Sequence, residues 1–153
     1  MTGRERTTPE PAEERRIVVG VDGSDSSLQA LEWAARQAEL TGDVVVAITT
    51  WEWPVNFGWT APLPEDWDPQ ADMTKMLDEI LGRLREAHPD VTVCARVVEG
   101  HPAPVLTEAS RGAQLLVVGS RGHGELAGMV LGSVSEHCVA HAHCPVLVVR
   151  KGR

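Results

Sequence analysis

The sequence predicts an α/β protein, a parallel sheet held between two layers of helices as a three-layer sandwich. Two observations carry this. Five apolar runs, Ile17 to Val21, Val44 to Ile48, Val91 to Val98, Leu115 to Val118 and Val146 to Arg150, alternate with four stretches of helical character. Alternation of this kind needs crossover connections, which are right-handed and leave the strands parallel. In addition, the runs at Ile17, Val44 and Leu115 are continuously apolar, as strands covered on both faces must be.

The first element after the charged pair Arg15 and Arg16 is the strand Ile17 to Val21, closed by Asp22. Gly23-Ser24-Asp25 turns into a helix with Ser24 or Asp25 as N-cap. Leu28, Leu31, Ala34, Ala35 and Ala38 recur at helical spacing, and Gly42 is placed to stop the helix. A second buried strand follows within Asp43 to Thr50. From Trp51 to Gln70 the text WEWPVNFGWTAPLPEDWDPQ has no steady period and holds most of the tryptophans. A connection of this length has a function or lacks order. Its indoles are expected to cover an exposed edge of the core, close over a ligand or meet a partner.

Met73, Met76, Leu77, Ile80, Leu81, Leu84 and Ala87 form the clearest amphipathic helix of the chain, ended by Pro89. The methionines read as core filling. Val91 to Val98 is the third strand, and Gly100-His101-Pro102 is a turn. Pro104 suits the first turn of a short helix with Val105, Leu106 and Ala109 on its apolar side, stopped by Gly112. Leu115 to Val118 is the fourth strand. Later, Ser133-Val134-Ser135-Glu136 reads as a capping box that opens the last helix, and Pro145 stands at the start of the final strand.

Composition narrows the function classes. At 153 residues, one domain with a single sizeable core is expected, preceded by a disordered tail over residues 1–14. No apolar run approaches a membrane span, and MTGRERTTPEPAEERR lacks the apolar core of a secretory signal. A formal net charge of -8 with no basic stripe disfavours nucleic acid. Three scattered cysteines, Cys94, Cys138 and Cys144, suit reduced thiols in a cytoplasm.

The stretch with the most chemistry is Gly119 to Ser135, GSRGHGELAGMVLGSVS. Gly119, Gly122, Gly124, Gly128 and Gly132 crowd one strand-to-helix connection at the carboxyl end of the fourth strand, where open α/β sheets leave a ligand crevice. Such a backbone turns N–H groups inward, and the helix opening at Ser133 adds its own unpaired N–H groups and dipole, so the stretch is suited to hold phosphate. The plainer alternative is a flexible connection. Asp22, at another strand end, is able to accept from a ribose hydroxyl or hold a metal that bridges phosphates, or simply to cap the Gly23-Ser24 turn. His137, Cys138, His141, His143 and Cys144 invite a metal reading, with His137 and His141 on one helical face, but Cys138 falls with Val134 on the apolar side. There is no GxxxxGK[ST], GxSxG or HExxH, so a fast enzyme is not expected and slow hydrolysis remains open.

The spacing Gly119-x2-Gly122-x9-Gly132-Ser133, with the strand before it, the Gly-Ser helix entry and the terminal CPVLVVR, resembles the nucleotide-binding signature of the ATP-binding branch of the universal stress protein family. The resemblance covers Arg16 to Lys151 and is weak from Trp51 to Trp67. It implies a Rossmann-like five-stranded parallel sheet over residues 15–153 in the order 3-2-1-4-5, with Asp22 opposite the glycine loop. It further implies that Gly20, Val21 and Asp22 line the nucleoside side and that the backbone near Thr49 meets the adenine edge. Gly119, Gly122, Gly132, Ser133, Val134 and Ser135 would carry ribose and phosphates, while Arg121 and His123 add charge or point to solvent. The implied ligand is ATP with Mg²⁺, the metal held through Asp22, and the implied partner is a second copy paired along Val146 to Val149. The resulting expectation is a nucleotide-dependent stress-response or signalling dimer in the cytoplasm. Two other classes stay open: an interaction module that works through the Trp-rich segment without nucleotide, and a slow ATPase on the same scaffold.

Overall fold

A computed structural model describes residues 5–7, 15–54, 63–121 and 131–150. In chain order the elements are β1 (Glu5–Thr7), β2 (Arg16–Gly20), α1 (Asp25–Thr41), β3 (Val44–Trp51), α2 (Pro69–Ala87), β4 (Val93–Glu99), α3 (Pro102–Ala109), β5 (Leu115–Gly119), α4 (Ser133–His141) and β6 (Val146–Val149). The sheet runs β1-β4-β3-β2-β5-β6. Its last five members pair in parallel, so the expected order 3-2-1-4-5 and the Rossmann-like α/β architecture are what the chain adopts. One difference concerns the tail. Within residues 1–14, read as disordered, Glu5–Thr7 pairs antiparallel with the outer edge of β4.

The strands bury both faces because each face has its own helix layer. Ile17, Val19, Val45, Ala47 and Val117 pack under Ala34, Leu31 and Ala38 of α1 and Leu77 and Leu81 of α2. Val18, Val46, Ile48, Leu116 and Val118 pack under Leu106 of α3 and Cys138 of α4. Leu77 and Leu81 are completely buried, and at about 1.5–3 kcal/mol for each such side chain they anchor α2. The small residues Ala30, Ala34, Ala35 and Ala38 let α1 lie close to the centre of the sheet.

Local signals set most boundaries. Ser24 is the N-cap of α1, its Oγ accepting from the Ser27 N–H, and Gly42 ends the helix in the left-handed region at φ 79°. Asp68 caps α2 and Pro69 occupies its first turn. The exception is α4. Gly132, not Ser133, is its N-cap and no side chain caps it, so the expected capping box does not form and Ser133 is the first helical residue. The helix begins one residue early, because the Gly132 N–H is drawn onto the Ser120 carbonyl at 2.6 Å. His88, the C-cap of α2, is buried between two carboxylates of α1: Nε2 meets Glu32 at 2.7 Å and Nδ1 meets Glu39.

Candidate functional site

β2 and β5 lie side by side in register, Ile17 opposite Leu115 and Val19 opposite Val117. Carrying that register forward sets Val21 level with Gly119, at the carboxyl edge where the chain leaves one strand for α1 and the other for α4. Side chains must part there, and a cleft opens whose enclosed part is about 100 Å³, in the crevice that open α/β sheets leave at a switch point. Its floor and inner wall are apolar: Ile48, Val118, Leu106, Pro102 and Val134. Its polar lining is Asp22, Ser24 and Arg121, with the buried Ser27 beside them. The cleft therefore suits a ligand with a flat apolar group and a polar or anionic one.

The two helices that open at this edge differ in what they offer an anion. At α1 the Ser24 Oγ already accepts from the Ser27 N–H. At α4 no side chain intervenes, and the first N–H with a helical partner is that of Glu136, donated to the Gly132 carbonyl at 3.0 Å. The N–H groups of Ser133, Val134 and Ser135 precede it, as the orphan donors of a helix start. Gly132, Val134 and Ser135 line the cleft.

The ends of the glycine connection are pinched together. The Ser135 hydroxyl, buried, lies 2.9 Å from the Ser120 carbonyl and 3.0 Å from that of Gly132, and donates to this pair. The Ser26 hydroxyl donates to the Arg121 carbonyl at 2.5 Å, tying the start of the connection to α1. Gly119 is glycine for a packing reason: a Cβ there would stand 2.7 Å from the Ser26 carbonyl carbon and 2.8 Å from the Ser27 N, both backbone atoms.

Of the residues singled out in the sequence, Gly20, Val21, Asp22, Gly119, Arg121, Gly132, Val134 and Ser135 converge on this cleft. Gly122 and His123, with Gly124 and Gly128, lie outside the described residues. Ser133 is exposed at the helix start and is not among the lining residues. At Thr49 the expectation concerns the backbone, and the side chain faces away from the cleft. Its hydroxyl donates to the Val21 carbonyl at 2.8 Å, buried within the sheet, and Thr50 is the residue that faces the cleft. Strand alternation holds the signal for this, since Ile48 and Thr50 share a face and Thr49 has the other. Pro102 and Leu106 carry no such local signal; α3 brings them in from the far side of β4.

Asp22 does what the plainer reading of it assigned. Its Oδ1 accepts from the Ser24 N–H at 2.9 Å and the Ser24 hydroxyl at 2.5 Å, bracing the turn into α1 while the carboxylate stays at the exposed rim. Trp51, Trp53 and Trp67 pack among themselves. Trp51 donates its indole N–H to Gln70 at 2.5 Å, and Trp51–Trp53 and Trp53–Trp67 meet edge to face at 5.3 and 5.2 Å. At α4, the rings of His137 and His141 lie 4.5 Å apart while Cys138 is buried in the core. Burial pushes the Cys138 thiol up to about 11. Among the described residues no group of three His, Cys, Asp or Glu side chains is placed to hold a metal, and no helix is long and apolar enough to cross a membrane.

A model of the universal stress protein family matches residues 14–150. A universal stress protein of Mycobacterium tuberculosis is 40% identical over 137 residues, which span 88% of this chain and 43% of that protein. One of Mycolicibacterium smegmatis is 38% identical over 135 residues, spanning 88% of this chain and 45% of the relative. The chain thus spans less than half the length of these curated relatives. Among solved structures, a universal stress protein in complex with cAMP superimposes with a TM-score of 0.69 at 30% identity, covering 91% of this chain and 98% of that one.

Proposed function

The chain belongs to the universal stress protein family, and from that premise we propose that it binds an adenine nucleotide in the cleft between β2 and β5, with ATP and Mg²⁺ as the working form. The observation that carries this reading is the joining of an apolar pocket to the uncapped start of α4 at the switch point of the sheet. Ile48, Leu106, Pro102 and Val118 offer surface to a base, and the N–H groups of Ser133, Val134 and Ser135 meet the phosphates. The similar structure that holds cAMP supports an adenine nucleotide as ligand.

Asp22 is the carboxylate that the described rim of the cleft offers to Mg²⁺. That ion keeps several waters and is commonly held by one or two carboxylates with the phosphates of its nucleotide, and Asp22 is exposed at the rim with one oxygen already taken by Ser24. When bound, Mg²⁺ would neutralise phosphate charge beside Arg121. Turnover is not part of the proposal, because the described rim offers Arg121 as its one cation and no oriented base.

We further propose that nucleotide occupancy sets the state of a cytoplasmic homodimer paired along β6 (Val146–Val149), whose half-buried valines form an apolar sheet edge. For the interaction-module reading, Trp51 and Trp67 are already engaged by Gln70 and ring-on-ring packing, while Trp53 keeps half its surface exposed.

Mass identification of nucleotide released from the purified chain tests the ligand. At a hundred times its dissociation constant ATP with Mg²⁺ should add about 2.7 kcal/mol, a melting shift of roughly 5–10 °C for a chain of this size. An unchanged melt and no released adenylate would refute the reading. Light scattering of a chain that stays monomeric would refute the dimer.

A further inference from the structure

We infer that Glu5–Thr7 is an edge guard, a short strand of the chain's own that covers Arg96 to Val98 on the outer edge of β4 and stops the sheet from growing there by pairing with another copy. β4 is seven residues long, VCARVVE, and its inner edge is paired with β3 along its whole length. Its outer edge would otherwise present a row of free N–H and C=O groups in a β-branched strand, the kind of edge that templates further pairing. β1 takes that edge antiparallel, with Glu5 opposite Val98, Arg6 opposite Val97 and Thr7 opposite Arg96. Over Arg96 to Val98 the rim of the sheet is then three residues, Glu-Arg-Thr, in place of the C-terminal part of β4. Short and charged is how natural sheets end.

β1 lies outside residues 14–150, the stretch that the family model matches. The guard matters most if β6 pairs with a second copy as proposed above. A chain with two self-pairing edges builds an open-ended sheet, whereas one with a single open edge stops at a closed pair. The occupant of an unguarded β4 is therefore a second copy of this chain, adding antiparallel to the same edge.

The test breaks β1 in the full chain. Backbone N–H groups of a strand point alternately to either side, so Glu5→Pro together with Arg6→Pro removes one donor aimed at β4 whatever the phase. Light scattering should show the variant at about twice the mass of the native chain, or larger. Adding Val98→Lys, a charge on the uncovered edge, should return it to the native mass. An unchanged mass in the proline variant overturns the proposal, and so does a raised mass that Val98→Lys leaves in place. Amide exchange gives a second reading that needs no association. In the native chain the outward N–H groups of Arg96 to Val98 should be protected, and in the proline variant with Val98→Lys they should exchange at least about tenfold faster. Full exposure already in the native chain would show that the edge is unguarded. The native mass reports on the β6 dimer and the change in mass on the guard, so either can fail alone.

Discussion

Replacing Gly119 with alanine should loosen the molecule at the point where strand, helix and cleft meet. Ordinary contact for a methyl begins near 3.4 Å, and the new Cβ would lie 2.7 Å from the Ser26 carbonyl carbon and 2.8 Å from the Ser27 N, a shortfall of 0.6–0.7 Å against main chain. Backbone has no rotamer to swing aside, so the first turn of α1 must move away, straining the bond from the Ser26 hydroxyl to the Arg121 carbonyl. Overpacking of this kind costs about 1–3 kcal/mol. Against it stands the gain of about 0.4–1 kcal/mol from a stiffer unfolded chain, since Gly119 needs no left-handed backbone. The net loss is about 1–2 kcal/mol, a fall in Tm of roughly 2–8 °C for this length. Gly82→Ala is the control: nothing lies within 4 Å of a Cβ there, at an exposed position inside helix α2, and helix propensity alone should stabilise it by up to about 1 kcal/mol. Differential scanning calorimetry of both variants is the assay. Equal or higher Tm for Gly119→Ala, with Gly82→Ala behaving as expected, would refute the steric account.

Three other expectations follow from particular contacts. His88→Gln should change how stability varies with pH: the Glu39 hydrogen bond first, and the Glu32 bond with the charge of both carboxylates, raise the His88 pKa against an opposing effect of burial. A raised folded value means the stabilisation is full below the unfolded value of about 6.5 and fades as pH climbs through the folded one. The Tm difference between native and His88→Gln chains should thus be largest on the acid side of neutrality and shrink in alkali, and a constant difference would count against the clasp. Gly132→Arg, which fills the mouth of the cleft, and Ser133→Glu, which sets a carboxylate at the start of α4, should each abolish the nucleotide-induced melting shift while far-UV circular dichroism stays native; a retained shift in both would move the phosphates elsewhere. The Cys138 thiol, buried and pushed up to about 11, should resist iodoacetamide at neutral pH in the folded chain and react on unfolding, and prompt labelling in the native state would contradict its packing.

How far the residues alone reveal this protein depends on how local the cause is. The alternation of apolar runs and helical periods places the five strands within a residue or two and all four helices, with α2 starting four residues before its first periodic residue, Met73, because each face of an element is written into neighbouring residues. Ser24, Gly42 and Asp68 act through bonds that close within a few positions. The crowding of glycines after β5 likewise marks where a ligand would sit. Three features escape such reading. Pro102 and Leu106 reach the cleft from α3, which no residue near the glycine loop announces. The capping box at Ser133 fails because Ser120, a dozen residues upstream, draws the Gly132 N–H and starts α4 a residue early.

Glu5–Thr7 shows no period in so short a run, and its strand character comes wholly from the free edge of β4 far along the chain. Pairings between distant segments have the same origin: His88 with Glu32 and Glu39, Pro102 and Leu106 under the cleft, the first turn of α1 against Gly119. The code within a few neighbouring residues is enough to choose elements and their order of appearance. Which side chain meets which across the sheet is settled by packing, since a contact between remote residues depends on every element that lies between them.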